Sequence, residues 1–343
     1  MEQVAESLRR TASAGKQALV GRVIEIRGFS TLPLDEMVVI DEAGEMHGDL
    51  LGRPGAEKLT AAAKGLFAAE PRLETVGISI HGPDVKELGL SCGGQADVLL
   101  QPAASIPEEF WAAMADRAPA ALVTLIDGPA AGPEALAVDR AGRISGRLGG
   151  AVPAPVSESL VAEALSLVRE GRSGSRRVET DAGVALVEAW VPSPRLVVVG
   201  SGDVAAALEA QAGLLGWEVR TVDGPGSVGD LEGLFGWAGT TGALIVLSHD
   251  PHIDAPALAA GLARPIPYIG AMGSRGTQSR RLDRLAAQGV PPEELERIHR
   301  PIGLNLGGRR APEVALAIVA EILAVHCGRD GRSLRETTGP IHG

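Results

Sequence analysis

The residues best suited to chemistry in this sequence are a cysteine within a turn of small residues and a set of polar turns in the second half. Cys92 lies in the segment GLSCGG, followed by Gly93 and Gly94, between two predicted strands. Small neighbours leave the sulfur accessible, and consecutive backbone N–H groups favour the thiolate or hold an anion. A small buried thiol at a tight turn is the alternative interpretation.

A glycine turn follows the first apolar strand of the second half. Residues 200–205 (GSGDVA) match G-x-G-x-x-A, a variant of the dinucleotide-binding fingerprint, with Gly200 and Gly202 as its glycines. Asp223 closes the next strand, where an acidic group accepts hydrogen bonds from a ribose. A tight turn that binds nothing is the alternative, and Asp203 in the first helical turn opposes a phosphate.

Two further turns follow later strands of the same predicted sheet. In the segment SHDPHID, we expect His249 and Asp250 to face the ligand crevice at the carboxyl edge of the sheet and Asp254 to cap a helix. The alternative for one or both histidines is that they are simply loop residues. A metal site is the less favoured interpretation of this segment. Gly273, Ser274 and Arg275 precede another helix and form a second potential anion cradle.

The stretch from residue 275 to 310 is rich in arginine. It holds eight arginines and four acidic residues. This local excess of positive charge either binds a phosphorylated ligand or acidic partner, or is a solvated helix face. The sequence leaves both interpretations open.

The elements that position these residues divide the chain into two parts. Residues 1–192 are expected to form an N-terminal α+β domain, and residues 195–327 a Rossmann-like domain with a parallel sheet, followed by a polar tail over 328–343. The prolines of Pro192–Pro194 mark the hinge. No internal repeat is evident. The expected strands are 19–26, 37–40, 76–80, 96–100, 121–126, 135–138, 196–199, 218–222, 244–247 and 266–269. The expected helices are 1–20, 160–169, 204–215, 257–262, 277–287 and 313–324.

Composition excludes several classes of protein. The 343 residues include nine aromatic ones and carry a net charge of −11, which opposes a nucleic-acid binder that works by stacking or by a basic face. Two cysteines, Cys92 and Cys327, cannot form a disulfide framework. No apolar run reaches the length of a transmembrane helix, and the first twenty residues lack the apolar core of a signal peptide. We therefore expect a cytoplasmic α/β protein without a membrane partner.

Four motifs in order resemble the XdhC/CoxI family of molybdenum-cofactor insertion and maturation proteins. They are GLSCGG (89–94), SHDPHID (248–254), YIGAMGSR (268–275) and PIGLNL (301–306), and the final helix APEVALAIVAEI (311–322) also matches. The resemblance is nearly continuous in the second half and patchy in the first. The chain departs from the family at Asp203, Asn305 and Ala311. It also lacks the family's early Gly-Gly-Cys segment and the arginine that tends to follow Asp223.

The resemblance implies a function for both halves. A member of this family binds the molybdenum cofactor, as molybdopterin or its dinucleotide, protects it during sulfuration and passes it to a client hydroxylase of the xanthine or carbon monoxide dehydrogenase type. Cys92 would then contact the cofactor and its molybdenum. A cysteine desulfurase is a further implied partner, and we expect a homo-oligomer.

Two other functions stay open at this point. One is an NAD(P)-dependent oxidoreductase that uses Gly200, Gly202 and Asp223, with His249 as acid or base. The other is a regulatory module that senses a nucleotide. The oxidoreductase hypothesis leaves GLSCGG unexplained, whereas a non-turnover chaperone accounts for both halves of the chain.

Overall fold

The computed structural model describes Val4, Leu8 and residues 16–28, 37–87, 93–150, 152–224 and 229–337. The chain divides into two compact units, Met1–Val191 and Pro192–Gly343. No helix among the described residues is both long and apolar enough to cross a membrane.

The first unit contains two five-stranded antiparallel sheets. The strands of the first sheet are β1 (Ala18–Arg27), β2 (Met37–Asp41), β3 (Met46–His47), β4 (Glu74–Ile80) and β5 (Gly94–Pro102). Those of the second are β6 (Ala120–Asp127), β7 (Ala135–Asp139), β8 (Ile144–Gly146), β9 (Gly174–Thr180) and β10 (Gly183–Trp190). The helices are α1 (Gly52–Phe67), α2 (Pro83–Glu87), α3 (Glu108–Ala115) and α4 (Ala154–Arg169).

The two sheets have the same topology, strand for strand. The first has the order β3-β2-β1-β5-β4 and the second the order β8-β7-β6-β10-β9. In each, a long helix, α1 or α4, connects the third strand to the fourth. The unit is therefore built from two structural repeats, and the expectation that the chain has no internal repeat is wrong.

A short hairpin motif is the sequence signal of this repeat. DEAGEMHGDL at 41–50 corresponds to DRAGRISGRL at 139–148. In the first repeat Asp41 Oδ1 accepts hydrogen bonds from the backbone N–H groups two and four residues further on, at 3.0 and 2.9 Å. In the second, Asp139 Oδ1 does the same at 2.9 Å in both cases. These Asx turns set the same hairpin in both copies.

The inner faces of the two sheets share a core, and each outer face is covered by a helix. Helix α1 packs on the first sheet through Leu59 and Ala63, and α4 packs on the second through Leu160 and Ala164. The inner core joins β1 and β2 to β6, β7 and α3. Val4 is helical, as expected for the N-terminal segment, and is buried in that inner core. The predicted end of this helix at residue 20 is wrong, since β1 begins at Ala18.

A charged pair lies buried between the sheets. Arg22 Nε of β1 is 3.1 Å from Glu188 Oε2 of β10, with side-chain exposures of 2% and 11%. The Arg22 guanidinium also donates to Gln101 Oε1 at 2.6 Å, and Gln101 Nε2 donates to the carbonyl oxygen of Pro133. Burial lowers the pKa of Arg22 and raises that of Glu188, although each charge partly offsets the effect on the other.

The second unit is a parallel sheet covered on both faces. Its strands are β11 (Arg195–Val199), β12 (Glu218–Val222), β13 (Ala243–Val246), β14 (Tyr268–Ala271) and β15 (Ile298–His299), in the order β12-β11-β13-β14-β15. Its helices are α5 (Asp203–Leu214), α6 (Leu231–Ala238), α7 (Pro251–Leu262), α8 (Arg275–Ala287), α9 (Pro292–Leu295) and α10 (Ala311–His326). Every strand pair is parallel, and a separate apolar cluster covers each face. The predicted fold class, an α+β part followed by a Rossmann-like parallel sheet, is confirmed.

We predict that Arg22→Met destabilises the first unit more than the double variant Arg22→Met, Glu188→Leu does. The single change leaves a buried carboxylate without its partner, which costs about 3–5 kcal/mol, whereas removing both charges is often nearly neutral. Urea unfolding followed by hydrogen-exchange mass spectrometry of peptides from β1 and β10 measures both. Equal destabilisation by the two variants would show that the pair contributes packing rather than charge compensation.

Candidate functional site

The polar turns of the second unit lie at one edge of the parallel sheet. Gly200 follows β11, Asp223 follows β12, His249 lies three residues after β13, and Gly273 lies two residues after β14. These four strands pair in parallel, so the loops that leave their carboxyl ends share one edge. The structure therefore brings together the four turns in which the sequence placed a ligand crevice.

The turn after β11 requires glycine for two different reasons. Gly200 has a φ of 110°, and a Cβ at this position would lie 2.7 Å from the backbone nitrogen of Ser248. Its N–H donates to the carbonyl oxygen of Val222 at 2.8 Å, which ties the turn to the neighbouring strand. Gly202, also at φ 110°, precedes the first residue of α5, and a Cβ there would meet no atom within 4 Å. That open space leaves room for a ligand beside the start of the helix.

Acidic side chains surround this first turn. Asp223 is exposed, accepts a hydrogen bond from the hydroxyl of Ser201 and accepts a second from the N–H of Gly224 at 2.9 Å. Asp203 is exposed in the first turn of α5. Asp223 is placed where a ribose hydroxyl could donate to it, while both carboxylates repel a phosphate at this turn.

The turn after β13 corrects one expectation. Asp250, not Asp254, caps α7, since its side chain accepts from the N–H of His252 at 2.9 Å. The helix begins at Pro251, six residues before the predicted start at Ala257, so Asp254 lies inside it. Asp254 is 1% exposed and forms an ion pair with Arg281 at 2.8 Å. Sequence reasoning missed this pair because it assigned Asp254 to a helix cap and Arg281 to a ligand-binding or solvated stretch.

The turn after β14 leads directly into a capped helix. Ser274 is the N-cap of α8, and its hydroxyl accepts from the N–H of Thr277 at 3.2 Å. Gly273 has a φ of 137°, a value that L side chains rarely adopt. Arg275 is exposed at the first position of the helix. This turn differs from the one after β11 by carrying a positive rather than a negative side chain.

The arginine-rich stretch has more structural roles than either interpretation of the sequence allowed. Arg281 is buried in the ion pair with Asp254. Arg297 donates to the carbonyl oxygens of residues 262, 264 and 266, at and beyond the end of α7. Arg300 donates to carbonyls at 295 and 298 and pairs with Glu296. Only part of the predicted positive surface is therefore available to a ligand.

The PIGLNL segment is fixed by a carboxylate that the sequence did not single out. Glu321 of α10 accepts from the Tyr268 hydroxyl at 2.5 Å and from the N–H of Gly303 at 2.8 Å, and lies 3.4 Å from His299 Nδ1. The ring of His299 stacks on that of Tyr268 with centroids 4.5 Å apart. Burial alone would raise the pKa of Glu321, but the hydrogen bonds from His299, Tyr268 and Gly303 outweigh it and lower the pKa.

The predicted thiol, Cys92, lies outside the described residues together with residues 88–91, whereas residues 81–87 and Gly93 on either side are described. Residues 81–93 join β4 to β5, and Gly94 is the first residue of β5. A Cβ on Gly93 would lie 2.8 Å from the carbonyl oxygen of Ile80, so the two ends of this connection approach closely. Cys327 is the C-cap of α10.

The side chains of the SHDPHID segment form no metal-binding group within the described parts of the chain. Among the described residues a different group has metal-ligand spacing, formed by Asp41, Glu45 and His47, whose ligand atoms lie within 4.8 Å of one another. It belongs to the β2–β3 hairpin. The equivalent hairpin of the second repeat has the same Asx turn, but Arg143 and Ser145 replace the glutamate and the histidine. The turn therefore forms without metal ligands, which favours a structural role for Asp41.

Comparisons with known proteins identify the second unit. Residues 196–322 match the XdhC Rossmann domain. The chain is 27% identical over 314 residues to PaoD, a molybdenum cofactor insertion chaperone of Escherichia coli K12, covering 91% of this chain and 84% of PaoD. It is 28% identical over 232 residues to the uncharacterized protein YqeB of the same organism, covering 58% of this chain but only 41% of YqeB. A crystal structure described as a xanthine dehydrogenase from Bacillus halodurans has a TM-score of 0.49 at 18% identity, with 98% of both chains covered.

We predict that Glu321→Gln lowers the free energy of unfolding at neutral pH by about 1–2 kcal/mol, since it removes charge-assisted hydrogen bonds. The pKa of Glu321 lies below its ordinary value of 4.5, so its contribution is fully present above that pH and is lost as the pH falls through the folded-state pKa. Urea unfolding of both proteins at several pH values measures the difference. A difference that stays constant on acidification would contradict the prediction.

Proposed function

Because the chain belongs to the XdhC family, we propose that it is a maturation factor that binds the molybdenum cofactor and delivers it to a molybdenum hydroxylase. The observation that carries the proposal is the similarity to PaoD over 91% of this chain. In this role the cofactor is cargo, so the protein needs to bind, protect and release it without chemical turnover. A client of the xanthine or carbon monoxide dehydrogenase type is the finer part of the proposal.

A difference between the two repeats of the first unit supports a special role for the Cys92 connection. Strands β9 and β10 are joined by Asp181 and Ala182 alone, whereas residues 81–93 join the equivalent strands β4 and β5. The last strand of each sheet begins with a glycine that lies close to a glycine after the first strand. A Cβ on Gly28 would lie 3.1 Å from Gly94 Cα in the first repeat, and a Cβ on Gly128 would lie 2.6 Å from Gly183 Cα in the second. The second repeat closes its hairpin without the extra residues, so the extension is available for a function.

We propose a binding role for each unit by itself. Cys92 supplies a thiolate, a soft ligand suited to molybdenum, and the N–H groups of Gly93 and Gly94 hold anionic groups next to it. At the carboxyl edge of the sheet, Gly200, Gly202 and Asp223 receive a nucleoside. His249, Asp250, Gly273, Ser274 and Arg275 line the same edge.

We predict that Cys92→Ser folds normally but loses retention or delivery of the cofactor, whereas Cys327→Ser keeps both. Cys327 ends α10, where the negative end of the helix dipole opposes a thiolate. The measurements are cofactor retention by each purified variant and activation of an apo-hydroxylase. Full retention and delivery by Cys92→Ser would overturn the role of this thiol. A fall in melting temperature with binding intact would indicate a structural thiol instead.

A loop replacement tests the extension itself. Replacing residues 81–93 with the Asp-Ala turn of the second repeat should preserve the far-UV circular dichroism spectrum apart from the small contribution of α2, because the equivalent hairpin closes with that turn. We expect such a protein to fail to activate the apo-hydroxylase. Activation at the level of the unaltered protein would show that the extension is dispensable for delivery.

We predict that Arg275→Ala weakens binding of ADP by about 1–3 kcal/mol, as expected for a lost charged hydrogen bond to phosphate. Arg284→Ala is the matched control, since Arg284 is exposed further along the same helix. Isothermal titration calorimetry measures both affinities. An unchanged affinity of Arg275→Ala would assign this residue to the solvated surface.

The same assays separate the proposal from its alternatives. Steady oxidation of NADH or NADPH with a carbonyl compound would favour the oxidoreductase, for which His249 is the candidate acid or base. Tight nucleotide binding without any cofactor delivery would favour the sensing module. A cysteine desulfurase partner and a homo-oligomeric state stay predictions from the family resemblance.

A further inference from the structure

Arg281 lies beneath the carboxyl edge of the parallel sheet, where a charged side chain is rarely found. It is 1% exposed. Its Nε and one terminal nitrogen donate to Asp254 Oδ2 at 3.0 and 2.8 Å, and the other terminal nitrogen donates to Gln278 Oε1 at 2.8 Å. The whole guanidinium fork is thus fixed by α7 and α8.

The remaining bonds of this fork go to the backbone of the two loops at the edge. Arg281 donates to the carbonyl oxygens of Met272 at 3.0 Å and Ser248 at 3.4 Å. Gln278 Nε2 extends the pattern by donating to the carbonyl oxygens of Ala271 at 2.9 Å and Gly273 at 3.4 Å. Two buried side chains therefore hold four carbonyl groups on the interior side of the edge, one of which, that of Ala271, also accepts from the N–H of Ile302 at 3.2 Å.

The direction of these carbonyls determines the direction of the next N–H groups. In a planar trans peptide the N–H of the following residue points opposite to the C=O. The N–H groups of His249, Gly273 and Ser274 therefore point away from Arg281, on the outer side of the edge. His249 and Ser274 are exposed and Gly273 is half-buried, so this side is open.

The ion pair is not arranged for stability alone. Asp254 is 1% exposed, and its second oxygen, Oδ1, has no hydrogen-bond partner among the described residues. Buried ion pairs often stabilise a protein no more than well-packed apolar side chains of similar volume do. A guanidinium, however, can hold a carboxylate and two separate carbonyls at once, which a lysine ammonium cannot do with the same fixed geometry.

We infer that Arg281, held by Asp254, is a positioning residue that shapes the turn after β14 to receive the phosphate of a nucleotide. The inference rests on the proposed function, since it concerns the nucleotide part of the cargo. It places phosphate beside Gly273, Ser274 and the exposed Arg275. The turn after β11, with Asp203 and Asp223, receives the nucleoside instead. The division is opposite to that of an ordinary dinucleotide fingerprint, whose glycine turn receives phosphate.

The test compares ADP with adenosine, which share a nucleoside and differ in phosphate. Arg281→Lys keeps the charge opposite Asp254 but releases the carbonyls, so we expect it to weaken ADP binding about tenfold, the effect of one lost hydrogen bond to a charged group. Adenosine binding should change less than about twofold, because the β11 turn is untouched. Isothermal titration calorimetry gives both affinities. Arg284→Lys, an exposed change on the same helix, should alter neither.

A second variant keeps the inference testable if Arg281→Lys does not fold. Gln278→Met releases the carbonyl of Gly273, which precedes the N–H of Ser274, and leaves the ion pair with Asp254 in place. The carbonyl of Ala271 loses one of its two bonds but still accepts from the N–H of Ile302. We expect the same selective loss of ADP binding from this variant, with a lowered melting temperature but a folded protein at the temperature of the assay, since buried groups left without their partner cost about 1–3 kcal/mol. If Arg281→Lys does not fold, Gln278→Met decides the question.

Three results would overturn the inference. The first is that the variants lose affinity for ADP and adenosine equally, and the second is that neither variant changes the affinity for ADP. The third is that the unaltered protein binds ADP no more tightly than adenosine. None of them would exclude cofactor delivery, which the Cys92→Ser and apo-hydroxylase measurements test separately. Loss of delivery in Cys92→Ser with selective ADP loss in Gln278→Met would support both.

Discussion

Parallel hydrogen bonding between the strands of the second unit is the constraint on which its candidate site depends. Parallel strands need crossover helices, and every crossover leaves the sheet from the same edge. The apolar residues of β11, β13 and β14 occupy the two buried faces, so the polar residues of the chain collect where the strands end. The ion pair of Arg281 and Asp254 then holds two of these loops from below. A site on four loops thereby acquires the rigidity of the sheet.

The first unit depends on a different constraint, the pairing of two similar sheets across a shared core. Each sheet needs one face covered by its own helix and the other by its counterpart. Neither repeat can bury both faces alone. The connection over residues 81–93 is the main departure from this regular plan, and it carries the cysteine that the family resemblance singles out. Regular packing around an irregular connection is the usual arrangement for a functional loop.

The sequence predicted much of the second unit because its signals are local. Continuous apolar runs such as Leu196–Val199, each followed by glycine and a helical pattern, indicate buried parallel strands without knowledge of the rest of the chain. Helix α1 was missed because Gly52 and Pro54 at its start are typical of turns. The roles of Arg281 and Glu321 could not be predicted, since burial of a charged side chain depends on elements far away in sequence.

The internal repeat was missed for a related physical reason. Two sheets of the same topology need the same alternation of apolar and polar residues, and many side chains satisfy that alternation. Identity is retained mainly where the backbone is constrained, in the hairpins that begin at Asp41 and Asp139. A comparison of these two segments would have revealed the repeat.

The buried polar residues between the sheets show what a single chain can do that a symmetric dimer cannot. By strand register Thr124 is the counterpart of Arg22, and Glu188 is the counterpart of Gln101. In an assembly of two identical halves, each of these positions would occur twice, so an arginine at one would entail a second arginine at its counterpart. Joining the halves covalently breaks this symmetry and allows opposite charges at non-equivalent positions. The buried polar residues thus distinguish the two repeats from each other, and only the first repeat carries the extended connection.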